Sequence, residues 1–148
     1  MHRSAYHRLR DNCHPDCVVC GSSNGRGLCL DFHLDRDGVV EASFSCDKAF
    51  QGYPAVLHGG VISALLDGAM TNCMFANGHA AVTGELLVRF RHPVLTDHPA
   101  IIRARIKSST RPLHELTAEL VQDGQVKATA QAKFLERTSV SYFGKVEM

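Results

Sequence analysis

The sequence predicts an α+β domain in which one long helix lies against an antiparallel sheet of about six strands. Three observations carry that reading. The stretch from Gly60 to Ala76 places apolar residues at helical spacing. Six other segments show strand-like alternation or β-branched enrichment between turn signals. Asp123-Gly124, between the last two of them, is a two-residue hairpin signal.

In chain order, residues 1–24 read as a Cys-rich N-terminal arm, 25–137 as the folded domain and 138–148 as a C-terminal tail. Strands are expected at Leu28–Leu34 and Val39–Ser45, before the helix. After it come Ala80–Phe90, Ala100–Ser109, Leu113–Gln122 and Gln125–Leu135. At about 100° per residue, Ile62, Leu65, Leu66, Ala69 and Cys73 form one helical stripe, with Gly60, Ala64, Asp67 and Thr71 opposite. The plainest reading is an amphipathic helix with a solvated aspartate. Ser63, Ala64 and Gly68 argue against it, since a solvated face would more naturally carry Lys, Glu or Gln. Something is expected to pack there.

With 148 residues, 45% of them hydrophobic, the chain is long enough for one domain with a substantial core. A net charge of +1 argues against nucleic acid as a partner. No apolar run approaches the length of a membrane span, and the N-terminus lacks the apolar region of a signal peptide. A cytoplasmic protein without a membrane partner is expected. The sequence contains neither an internal repeat nor a low-complexity segment.

Six cysteines in such a chain read as thiols or metal ligands rather than as a disulfide framework. Cys29, Cys46 and Cys73 have apolar surroundings and are expected in the core. Cys13, His14, Cys17 and Cys20 are close enough to supply a structural zinc site, or to form an ordered arm without metal. Against zinc stand the single C-x-x-C and the adjacency of Cys13 and His14. A redox pair lacks the βαβ context. His2, His7, His33, His79, His98 and His114 show no ligand spacing and read as surface or structural residues.

The chemistry concentrates at His58-Gly59-Gly60, where the helix begins, and at Asp67, nine residues after the histidine. Backbone N–H groups at a helix start are unsatisfied and sit at the positive end of the dipole, which suits a developing oxyanion. Asp67 is a candidate base or nucleophile. Gly60 and Asp67 share a face but lie roughly 10 Å apart along the axis, too far to touch one carbonyl carbon. Acting together, they require the Asp67 of a second copy, in a site shared across an isologous interface. His58 reads as the residue that shapes the turn, with a role as general base the alternative.

The runs Phe50-Gln51-Gly52-Tyr53-Pro54 and Val56 to Met70, with Cys17-Val18-Val19-Cys20-Gly21, Val82 to Leu86 and Arg89 to Val94, resemble hotdog-fold acyl-CoA thioesterases of the phenylacetate-degradation (PaaI-like) type. The likeness extends from about Cys17 to Leu135. It implies an antiparallel sheet wrapped around one long central helix. It also implies hydrolysis of acyl-CoA to free acid and CoA, with the Gly59 amide as oxyanion donor and Asp67 of the partner subunit as base or nucleophile. It further implies that no cofactor is required and that the assembly is a homodimer or homotetramer.

Around that pair, Gly60 joins the amide site, and Thr71 or Thr83 would orient water. Arg89 and Arg91, on one strand face, would meet the CoA phosphates, with Lys107 and Arg111 equally available. Many relatives carry Asn or Gln six residues before the histidine; here Gly52 stands there and Gln51 is the substitute. Ser63, Ala64, Gly68 and Val82, with Phe75 and Phe90 as walls, predict a pocket for medium-chain or aryl-acetyl groups. The alternatives are a non-catalytic acyl-CoA or acyl-lipid binding module, against which Asp67 counts, and an interaction protein docking a partner through its Cys-rich arm.

Overall fold

In the computed structural model, which describes residues 4–136, helix α1 (Ala5–Cys13) precedes strands β1 (His33–Leu34) and β2 (Val40–Ser45). A 3-10 turn, Lys48–Phe50, leads to helix α2 (Gly59–Ala76). Strands β3 (Ala81–Phe90), β4 (Pro99–Thr110), β5 (Leu113–Gln122) and β6 (Gln125–Glu136) follow. The sheet order is β1-β2-β4-β5-β6-β3, and every pairing is antiparallel. With α2 held against one face of this sheet, the fold is the hotdog arrangement that the resemblance implies.

Local chemistry explains the architecture. Asp123 and Gly124 both have positive φ, 52° and 75°, the twist a two-residue hairpin needs, and Gln122 pairs Gln125 across them. Along β5, His114, Leu116, Ala118, Leu120 and Gln122 alternate into the interior. Ala104, Ala118 and Ala130 form a cross-strand row of small residues on which α2 can sit closely. Leu65, Leu66, Met70 and Met74 are fully buried with Ile102, Leu120 and Phe134, each contributing about 1.5–3 kcal/mol.

The second face of α2 is covered by the N-terminal arm. Gly68, Asn72, Met74 and Phe75 are buried as well as the expected stripe. A Cβ on Gly68 would stand 2.5 Å from Val19 Cγ1, so the arm needs glycine at this point. The Tyr6 hydroxyl donates to Asn72 Oδ1 at 2.8 Å. The small-residue face is thus a packing surface, not a solvated one. Helix α1, started by Ser4 accepting from the His7 amide at 3.2 Å, was not anticipated.

Two expectations are corrected. Leu28–Leu34 is a strand only at His33–Leu34, because Leu28 and Leu30 donate instead to Val18 O and Val19 O of the arm, at 2.7 and 2.9 Å. Cys29, between them at φ 53°, is exposed rather than in the core; Cys46 and Cys73 are buried as expected. His79 and His114 share a partner that their sequence spacing hides, each placing a ring nitrogen 3.2 Å from Glu136. The expected tail over 138–148, and His2, lie outside the described residues.

Candidate active site

The loop ahead of α2 is tied at both ends. His58 N–H donates to Phe50 O at 2.9 Å and Leu57 N–H to Val94 O at 2.8 Å. These bonds present His58 as the N-cap of α2, with φ −63° and ψ 135°. Its Nδ1 accepts from the Gly60 amide at 2.8 Å, so in the neutral ring the proton sits on Nε2. A Cβ on Gly60 would lie 3.0 Å from Nδ1. Glycine there permits the cap.

The cap divides the two amides. Gly60, expected in the binding site, has its N–H committed to His58. The Gly59 N–H has no acceptor among the described residues, at a helix N-terminus where a polarised oxygen is favoured. The ring of Phe90, at the end of β3, lies 3.5 Å from where a Gly59 Cβ would be. His58→Ala is expected to lower stability by about 1 kcal/mol through loss of the cap, while His58→Asn restores it. Urea denaturation distinguishes the two, and an unchanged midpoint in the alanine variant would exclude a capping role.

Gln51 belongs to the same loop. Its Oε1 accepts from the Ala55 N–H at 3.1 Å, closing the turn through residues 52–55. A Cβ on Gly52 would meet His58 Cδ2 at 3.3 Å, so the position where the resemblance leads one to expect Asn or Gln holds here a glycine in tight contact with His58. Through Oε1, Gln51 braces this loop.

Asp67 lies two turns into α2, roughly 12 Å along the axis from Gly59. The Thr83 hydroxyl on β3 donates to its Oδ1 at 2.6 Å. Burial raises the Asp67 pKa; the Thr83 hydrogen bond and His14 oppose the rise, and Cys17 adds to it. The carboxylate opens on a cavity of about 290 Å³ shared with Cys13, His14, Phe75 and Val82. Thr83 thus bonds the acid directly. Thr71 lines the same cavity, with its hydroxyl donating to the Asp67 carbonyl at 3.0 Å.

Other expected contacts separate from this cavity. Gly68 faces Val19, and the Ser63 hydroxyl donates to Gly59 O at 2.9 Å. Arg89 and Arg91 do share a face, but within one chain they line a different cleft of about 360 Å³ with Arg103 and Arg105. Arg111 is paired with Glu136. The arm residues His14 and Cys13 were not foreseen as walls of the Asp67 cavity; the small residues of α2 announced a packing partner without naming it. Of the four proposed metal ligands, His14, Cys17 and Cys20 converge and Cys13 stands outside the group.

A long helix cradled by an antiparallel sheet, with a capped Gly-Gly start and a half-buried acid, defines a hotdog protein of the thioesterase class. Residues 55–129 match the sequence profile of the Thioesterase superfamily, and the chain belongs to that family. It is similar to a crystallised thioesterase superfamily protein at TM-score 0.76 and 24% identity, over 80% of this chain and 62% of that one. The chain thus spans less than two thirds of that relative. A phenylacetic acid degradation-related protein of Ralstonia eutropha JMP134 gives TM-score 0.72 and 25% identity, over 89% and 99% of the two chains. A Streptococcus mutans UA159 protein, bound to acetyl CoA, gives TM-score 0.68 and 18% identity over 73% and 88%. No curated protein sequence gives a significant match. Among the described residues, no helix is long and apolar enough to cross a membrane.

Proposed function

We propose that this chain hydrolyses acyl-CoA thioesters, with the Gly59 amide as oxyanion donor and Asp67 of the partner subunit as general base or nucleophile. Water adds its oxygen to the thioester carbonyl, the C–S bond breaks, and the CoA sulfur leaves and takes up a proton. The observation that carries the reading is the pairing of an unpartnered helix-start amide with a half-buried carboxylate held by Thr83. The acetyl CoA bound to the Streptococcus mutans relative supports CoA as the carrier.

The two halves lie too far apart on one helix, and strand β3 supports a second copy as the remedy. Among the described residues it is the last strand of the sheet, with one edge unpaired, and Leu86, Leu87 and Phe90 on it are exposed. Asp67 is bonded to Thr83 near the start of β3, whereas Gly59 packs at Phe90 near its end. Two β3 edges pairing antiparallel about a centre between Leu86 and Leu87 would set Thr83 beside Phe90 of the partner subunit. Each Asp67 then approaches the turn at Gly59 of the partner subunit.

The apolar lining supplied by Phe75 and Val82 favours medium-chain or aryl-acetyl thioesters over acetyl-CoA. Free-thiol release is to be measured as kcat/KM from acetyl-CoA to palmitoyl-CoA and with phenylacetyl-CoA. Rates should climb by up to about fourfold per buried methylene before the cavity fills. A profile peaking at acetyl-CoA would defeat the substrate assignment; tight binding without turnover would favour the binding-module alternative.

A pH profile tests the acid. Either role requires ionised Asp67, so kcat/KM should rise with pH through a pKa that burial lifts above the ordinary carboxylate value. Thr83→Val removes a hydrogen bond that opposes the lift, and should move the acid limb to higher pH, whereas Thr83→Ser should leave it in place. The other groups influencing Asp67, Cys17 and His14, are untouched by either change. A limb that stays fixed in the valine variant would assign it to another group.

A further inference from the structure

We propose that the N-terminal arm binds one zinc ion through His14, Cys17 and Cys20, with solvent as the fourth ligand. A ring nitrogen of His14 and the two Sγ atoms all lie within 4.8 Å of one another. Cys20 Sγ and His14 Nδ1 are 3.8 Å apart. With Zn–S about 2.3 Å and Zn–N about 2.0–2.1 Å, a tetrahedron has an S···N edge of roughly 3.6 Å. The observed separation is within a small side-chain adjustment of that edge.

The backbone is shaped to hold the two sulfurs together. Gly21 N–H donates to Cys17 O at 2.9 Å, and a Cβ on Gly21 would stand 2.4 Å from Cys17 N, so glycine alone closes this Cys17–Gly21 turn. The Val19 N–H points at Cys17 Sγ at 3.4 Å, the kind of outer hydrogen bond that orients a ligand sulfur. The His14 ring is steadied edge-on against Phe75, at 5.1 Å between centroids.

Chemistry selects the ion. Two thiolates and an imidazole favour a soft or borderline metal over magnesium or calcium. Two thiolates also neutralise a divalent charge, which allows burial beside Cys20, only 2% exposed. Cys13 lines the same opening as His14 and Cys17 but lies outside the ligand group, which leaves the fourth position to water. Such a site would fasten the segment that covers Gly68 and walls the Asp67 cavity.

The test uses the full chain without an affinity tag, purified with reductant and analysed for metal. One zinc per chain is expected, falling to near zero in Cys17→Ser, Cys20→Ser and His14→Ala and retained in Cys13→Ser. Cobalt added to the metal-stripped wild type should give the thiolate charge-transfer and intense d–d bands of a four-coordinate ion, a readout that needs no variant to fold. A chelator should lower the melting temperature of the wild type. Wild type that takes up neither zinc nor cobalt, or a Cys17–Cys20 disulfide found in metal-free protein under reductant, would overturn the site. Loss of zinc in Cys13→Ser would overturn the solvent ligand.

Discussion

Asp67→Asn is expected to lower kcat for the best acyl-CoA by about two to four orders of magnitude, the usual contribution of a positioned base. The substitution keeps the shape of the side chain, and its amide oxygen can still accept from Thr83, 2.6 Å away in the wild type. Stability should move the opposite way to activity. Because burial raises the Asp67 pKa in the fold, the stability linked to this group is full below the unfolded-state pKa. It is lost as pH rises through the folded value. At neutral pH the carboxylate therefore weakens the fold, and the asparagine variant should melt at the same temperature or higher, with the difference vanishing in acid. A near-normal kcat on a substrate the wild type hydrolyses well would sink the assignment of Asp67.

That opposition between stability and chemistry also marks what a sequence can disclose. Strands β3 to β6 were legible to within about two residues: β4 to β6 because inward and outward residues alternate along each, β3 from its bounds between turn signals, since little of it beyond Ala81 is buried. The first strand was misjudged, since Leu28 and Leu30 are apolar for the sake of the arm and not of the sheet. Helix α1 escaped notice because its packed stripe is short, Tyr6, Leu9 and Cys13, with the charged Arg10 buried beside it.

The site divides along the same line. His58, Gly59 and Asp67 follow from helix geometry within one contiguous segment. The contrast between Thr83, which reaches the carboxylate, and Thr71, which bonds a carbonyl of its own helix, depends on packing between elements. Sequence spacing carries no trace of that choice. Nor does it show that the Cys-rich arm folds back to wall the acid, because that contact joins residues more than fifty positions apart, such as His14 and Asp67 in one cavity.

Gly59→Pro is expected to cost about two to three orders of magnitude in kcat, the usual loss of one oxyanion donor, with the helix intact. Proline is tolerated at the first helical position, where its missing N–H removes no helical bond. His58 already holds the extended conformation that a following proline demands, φ −63° and ψ 135°. The new Cβ would meet Phe90 from about 3.5 Å, an ordinary contact. The variant deletes the donor and sets the ring Cδ where the N–H pointed, which closes the oxyanion position on that subunit and makes it the proper partner for Asp67→Asn in a mixing experiment. If the site is shared, each heterodimer regains one intact pair from a Gly59 on one subunit and an Asp67 on the other. Random exchange should recover roughly a quarter of wild-type activity from two inactive proteins, since half the dimers are mixed and each has one working site of two. Mass spectrometry of the mixture establishes exchange independently. Exchange without recovery would mean that Gly59 and Asp67 do not serve one carbonyl, and the two-subunit site would have to be abandoned even if each residue alone proved essential.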